Sequence, residues 1–143
     1  MSFDLKITNN DLSINSDGTL KTVFDNEKLT QDIIKSVITP IGSNPFHRWI
    51  GSTISARTIG QVLDASHTEI EATRALQNTL TNLIALQNEQ GKGQYVSPGE
   101  QIASILEIAV TRSEQDPRQW EITVSILTRK LTTVEESFTL RTL

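Results

Sequence analysis

The sequence predicts an α+β domain in which helices pack on a mainly antiparallel sheet and a C-terminal β-hairpin lies at an edge. Three observations lead there. From Trp120 onward Trp120, Ile122, Val124 and Ile126 are apolar while Gln119, Glu121, Thr123 and Ser125 are polar, the period of a half-buried strand. Val134, Phe138 and Leu140 repeat that pattern more weakly on a last strand, interrupted by Glu136. Upstream, apolar residues recur at helical spacing between Leu29 and Ile38 and again between Ile70 and Leu86. A chain of 143 residues suits a single domain, 1–143, with a modest core.

Taken in order, Phe3, Leu5 and Ile7 alternate with polar neighbours, and Leu12 and Ile14 follow Asn9 and Asn10, so the chain opens on short strands. Asp17–Gly18 marks a tight turn, because glycine accepts the positive φ such turns demand. An extended piece runs from Thr19 to Phe24. Asn26 is placed to cap a helix from Glu27 to Ile38, with Leu29, Ile33, Ile34, Val37 and Ile38 on its buried face and Lys28, Asp32 and Lys35 in water. Pro40 disfavours helical geometry at Thr39 and ends it.

Thr39 to Gly51 reads as a loop, with two prolines and two glycines, yet it holds Phe46, Trp49 and Ile50. Those side chains cover either the domain's own core or a neighbour. A second short helix is expected from Ser55 to Ala65, with Ile59, Val62 and Leu63 inward. The long helix from Thr68 to Gln90 buries Ile70, Leu76, Leu80, Leu83, Ile84 and Leu86, leaves Glu69, Glu71, Arg74, Asn78, Asn82 and Gln87 wet, and stops at Gly91–Lys92–Gly93. Ser97–Pro98–Gly99–Glu100 has the form of a helix start. Beyond it Ile102, Ile105, Leu106, Ala109 and Val110 fit a helix, whereas Leu106, Ile108 and Val110 alternating with Glu107, Ala109 and Thr111 fit a strand; the favoured reading is a short helix to about Ser104 and a strand to Thr111. The last two strands are joined through Arg129–Lys130, with no Gly or Asn to fix the turn type.

A formal charge of −4 with no basic block argues against nucleic acid as a partner. No cysteine is present, which excludes disulfides and thiolate metal sites. No apolar run approaches the ~20 residues of a membrane span, and no basic, then apolar, leader opens the chain, so a protein made in a cytosol and free of membranes is expected. His47 and His67 have no metal-ligand spacing, and neither a phosphate-cradling glycine loop nor a nucleophile elbow occurs. A glycosidase needs two carboxylates facing one cleft; Glu69 and Glu71 do not share a helix face, and Glu100, Glu107 and Glu114 lie on a segment of uncertain form. No catalytic residue, metal or cofactor is therefore assigned. Asp116–Pro117–Arg118 is either an ordinary turn or a fixed pair of charges for a partner's carboxylate or cation. The last strand, ending the sequence with a charge on its apolar face, is expected at a sheet edge, where unpaired main-chain groups accept another chain.

The order of elements and two motifs resemble the short baseplate wedge proteins of contractile phage tails, the tail sheath initiator family, sometimes labelled lysozyme-like and related to type VI secretion baseplate components. Thr39, Gly42, Pro45 and Gly51 match the family's loop after its first helix. Asp116, Pro117 and Arg118 map onto its Glu-Pro-Arg motif, with Asp in place of Glu. The resemblance implies a non-enzymatic part of the virion baseplate, assembled in the host cytoplasm in multiple copies within a symmetric structure. It implies wedge subunits and the tail sheath protein as partners, with the tail tube as a further candidate. Asp116, Pro117, Arg118, Phe46 and Trp49 would then contact the wedge. Trp120, Ile122, Val124, Ile126, Val134, Phe138 and Leu140 would pair with sheath strands by β-augmentation. The alternatives are a peptidoglycan-degrading tail lysozyme and a tube-associated adaptor.

Overall fold

The computed structural model describes residues 2–54 and 65–141. It is an α+β fold. Two small antiparallel ribbons open it: β1 (Asp4–Leu5) pairs with β4 (Thr22–Val23), and β2 (Ile7–Thr8) with β3 (Asp11–Leu12). Between β3 and β4 Gly18 takes φ +85°, and the Asp17 carboxylate accepts the Thr19 N–H at 3.0 Å, the turn that Asp-Gly announces. Helix α1 (Asp25–Ile38) and the long α2 (Ala65–Gly93) follow, then three strands, β5 (Ile102–Arg112), β6 (Gln119–Thr128) and β7 (Thr133–Arg141), in an antiparallel sheet of order β5-β6-β7. The helix expected over 55–65 lies outside the described residues except for Ala65, where α2 begins.

β6 is the spine of the core. Trp120, Ile122, Val124 and Ile126 are all buried, facing Leu29, Ile33 and Val37 of α1 and Leu76, Leu80 and Leu83 of α2 in one cluster. The opposite face of the sheet is polar, with the Thr123 and Ser137 hydroxyls 3.0 Å apart across the strands.

Several expectations are corrected. No helix forms at Ser97; a turn closed by Glu100 N–H on Ser97 O at 3.0 Å leads straight into β5. The helix-like spacing of Ile102, Ile105, Ile108 and Val110 has a physical cause. Register shifts between Ile102 and Ser104 and between Ile105 and Glu107 each displace the alternation, so residues three apart reach the same core. Leu106, expected beside Ile108 and Val110, is turned outward.

On α1, Asn26 makes no cap: the helix starts at Asp25 after Phe24, and the Asn26 Oδ1 is buried without a hydrogen bond. Ile38 and Ile70, expected inward, are exposed. Gln87, expected wet, is buried and clamps the start of β5, donating to Glu100 O at 2.7 Å and accepting from Ile102 N–H at 3.0 Å. Lys28, expected in water, is buried as well.

The β6–β7 hairpin achieves its turn without glycine. Leu131 takes φ +64°, its N–H bonded to Thr128 O at 2.9 Å, while Thr128 N–H donates to Thr132 O at 2.9 Å. A left-handed leucine is strained by roughly 1 kcal/mol, and this one is exposed. Leu131→Gly is expected to raise stability by about 0.5–1 kcal/mol, read as a higher urea midpoint at unchanged m-value.

Candidate functional site

The sheet has two edges, and they differ. β5 carries both register shifts, a feature that blunts an edge against pairing. β7 is paired to β6 in unbroken register from Gln119↔Arg141 to Leu127↔Thr133. Because Thr128 and Thr132 form a hydrogen-bonded pair, antiparallel alternation makes Val134, Glu136, Phe138 and Leu140 the residues that bond to β6. Thr133, Glu135, Ser137 and Thr139 then aim their N–H and C=O groups away from the sheet. Among the described residues no backbone hydrogen bond reaches that outer side.

This geometry sorts the residues expected to pair with a partner strand. Trp120, Ile122, Val124 and Ile126 sit on the central strand, hydrogen-bonded to β5 on one side and β7 on the other. Their side chains build the core, as does Val134, with Phe138 and Leu140 packed against it. The main chain open to a partner is that of β7.

Asp116, Pro117 and Arg118 lie in the turn from β5 to β6. The Asp116 carboxylate accepts the Arg118 N–H at 2.9 Å and meets Arg141 Nη2 at 3.3 Å, fastening the turn to the end of β7. Arg112 donates to Pro117 O at 2.7 Å while its guanidinium lies 5.8 Å from the centre of the Trp120 ring. Pro117 and Arg118 themselves are exposed.

The loop over 39–51 splits its aromatics. Trp49 is half-buried, with its carbonyl accepting from Asn82 Nδ2 at 2.9 Å and its ring edge-on to His47 at 5.9 Å. Phe46 is 89% exposed. It covers none of the core, yet it is held: Asn44 Oδ1 accepts the Phe46 and His47 N–H groups at 3.0 and 3.3 Å. The loop's neck is closed by Ser52 N–H on Thr39 O at 2.8 Å and Ile41 N–H on Ser52 O at 3.1 Å.

Sequence spacing did not reveal a chain of charges beneath the N-terminal ribbons. Asp4 pairs with Lys35, Lys35 with Asp32 at 2.9 Å, Asp32 with Lys28 at 2.7 Å, and Lys28 with Glu100 at 3.7 Å. Asp4, Lys28, Asp32 and Lys35 line a cavity of about 390 Å³ with Phe3, Ile50 and Leu86. Burial alone would raise the Asp4 pKa, but hydrogen bonds from Lys35 and Gln31 outweigh it and hold the carboxyl below its ordinary value. The same pairing overcomes the opposing effect of burial on Lys35 and lifts its pKa. Asp4 thus adds stability that is lost as pH falls through its lowered pKa, and Lys35 stability that is lost as pH rises through its raised one. The signs alternate along this chain, so each lysine lies between two acids and the row keeps one net negative charge. Of the acids weighed for catalysis, Glu100 is 2% exposed and sealed under its turn, and Glu69 lies on α2 beside Thr73 and Arg74. Among the described residues no cluster of acids and histidines could hold a metal ion.

No protein-family model matches the chain, and no curated protein matches it in sequence. Its fold is similar to that of a crystal structure from Geobacter sulfurreducens, described provisionally as a tail lysozyme. The TM-score is 0.59 at 14% sequence identity, over 82% of this chain and 90% of that one. At that identity the likeness is one of fold.

Proposed function

We propose that this chain is a structural component of a contractile tail baseplate that binds wedge subunits and templates the first ring of sheath protein through the open edge of β7. The observation that carries this reading is that edge: a regular strand whose outer main-chain groups, at Glu135, Ser137 and Thr139, have no partner among the described residues. The resemblance of the loop and turn motifs to sheath initiators supports it, as does a fold similar to that of a protein described provisionally as a tail lysozyme. Phe46, fully presented on a closed loop, together with Pro117 and Arg118, supplies the wedge contact.

Ser137→Pro tests the reading. Proline at an outward-bonding position of an edge strand removes a donor that β6 does not use, and its ring obstructs an incoming strand. The variant is expected to fold and to retain wedge subunits. Its affinity for purified sheath subunit should fall by at least about tenfold, the equivalent of one lost hydrogen bond of ~1.4 kcal/mol. Unchanged sheath binding by a folded Ser137→Pro protein would show that β7 only completes this domain's own sheet.

The provisional lysozyme description of the similar structure favours a second reading, a peptidoglycan glycosidase. Under that reading Glu69→Gln abolishes clearing of purified cell wall while assembly survives, whereas Glu100, buried beneath its turn, is out of a polysaccharide's reach.

A further inference from the structure

The open edge is not chemically neutral. Glu135 and Glu136 stand side by side at its middle, on opposite faces of β7. Their cross-strand neighbours on β6 are Ser125 and Val124, neither of them a cation. Glu136 shares the helix-facing side with Val134 and Phe138, where the Thr30 hydroxyl of α1 donates to its Oε1 at 3.1 Å. It is half-buried, and neither acid forms an ion pair with any described residue. The nearby cations are engaged elsewhere: Lys6 lies 3.9 Å from Glu27, and Lys35 is held by Asp4 and Asp32.

Glu136 also closes one end of a groove of about 480 Å³ that runs between α1 and the N-terminal ribbons, with Ile7, Ile34 and Ile38 among its apolar lining and Lys6 and Lys35 among its polar lining. Ile7 and Ile38 are exposed there. A strand added outside β7 places every second side chain on this side of the sheet. One of those side chains falls beside Glu136. If it is apolar, the strand strips water from a carboxylate and returns nothing; if it is acidic, two like charges face each other. A carboxylate pointing inward from an edge therefore rejects most strands and accepts those that neutralise it.

We propose that the occupant of this edge is an extended segment of a partner protein carrying a lysine or arginine on its helix-facing side, aligned with Glu136 and flanked at alternate positions by apolar residues beside Val134 and Phe138. Glu135 on the outer face favours a second basic residue next to the first. The inference rests on the edge reading given above and specifies the chemistry of the strand that reading requires.

The test uses the full chain and two synthetic nine-residue peptides of alternating Thr and Val, with Lys or Glu replacing the central Val. Binding is followed by fluorescence anisotropy at low salt. The Lys peptide is expected to bind about tenfold more tightly than the Glu peptide. Glu136→Gln keeps an acceptor for Thr30 and should erase most of that preference, and Glu136→Lys should reverse it; thermal melts confirm that both fold. Binding of the Lys peptide should also be lost in Ser137→Pro. Equal affinities, a preference that survives Glu136→Gln, or failure of both peptides to bind would each overturn the inference. Purified sheath subunit separates it from the functional proposal. Sheath binding that is lost in Ser137→Pro but indifferent to Glu136→Lys leaves templating intact and removes the charge rule. A Lys peptide that binds selectively while sheath does not bind leaves the charge rule and removes sheath as the partner.

Discussion

Lys28→Met is expected to lower the unfolding free energy by about 3 kcal/mol, although the change adds no bulk and keeps an unbranched, helix-compatible side chain. The reason lies 72 residues away. The Lys28 side chain is only 10% exposed, and its Nζ sits 3.7 Å from Glu100 Oε2, an oxygen with no hydrogen bond of its own. Taking away the ammonium leaves a carboxylate buried without its counter-charge, which costs far more than the pair itself contributes. Asp32 fares better, because Lys35 remains 2.9 Å away. The double variant Lys28→Met/Glu100→Met is therefore expected to recover most of the loss, since it removes the stranded charge as well. Urea midpoints of the wild type, the two single variants and the double variant form the cycle that measures this. The position matters for the whole fold: Glu100 O is held by Gln87 of α2, and the next residues begin β5, so one ion pair ties α1, α2 and the sheet together. If the single Lys28→Met variant is as stable as the wild type, the junction is held by packing and the Gln87 clamp alone.

What the sequence disclosed and what it hid follow from the range of the interactions involved. β6 and β7 were legible because alternation is a local property, and each strand runs through its pairing with the other without a slip. The apolar stripe of α1 and the Asp17–Gly18 turn were legible for the same reason. β5 was half mistaken for a helix because two register shifts convert a period of two into steps of three, and nothing in the neighbouring residues announces a bulge. The resemblance counted β6 together with β7 as a pairing strand, whereas in the fold β6 is the middle of three and the edges are β5 and β7. Lys28, Gln87 and Glu100 were misplaced or passed over because their burial depends on partners between 13 and 72 residues distant, which no periodicity reports. Phe46 was legible as a choice between two roles, and its exposure shows that it does not cover this domain's own core.

Gly51→Ala is the substitution expected to act on that neck, and its cost should exceed what glycine's conformational freedom alone explains. Gly51 adopts φ +119°, where side-chain-bearing residues are strained. It is also crowded: a Cβ there would lie 2.6 Å from Thr39 O and 2.9 Å from Ile41 N. Both atoms are main chain, and both already hold the bridge that closes the loop, so neither can withdraw without breaking it. Gly42 provides the control. It also has positive φ, +85°, but nothing lies within 4 Å of the Cβ it would gain. Gly42→Ala should therefore cost about 1 kcal/mol, whereas Gly51→Ala should cost about 3 kcal/mol and lower the melting temperature by roughly 10 °C. The pair of measurements separates backbone conformation from steric contact. If Phe46 makes the wedge contact proposed above, a Gly51→Ala protein that still folds at low temperature should also lose wedge affinity, because Phe46 owes its presentation to the closed neck rather than to contacts of its own ring. If both alanine variants cost the same, the approach of Thr39 and Ile41 to Gly51 relaxes in solution, and the outward position of Phe46 must be set by the Asn44 turn.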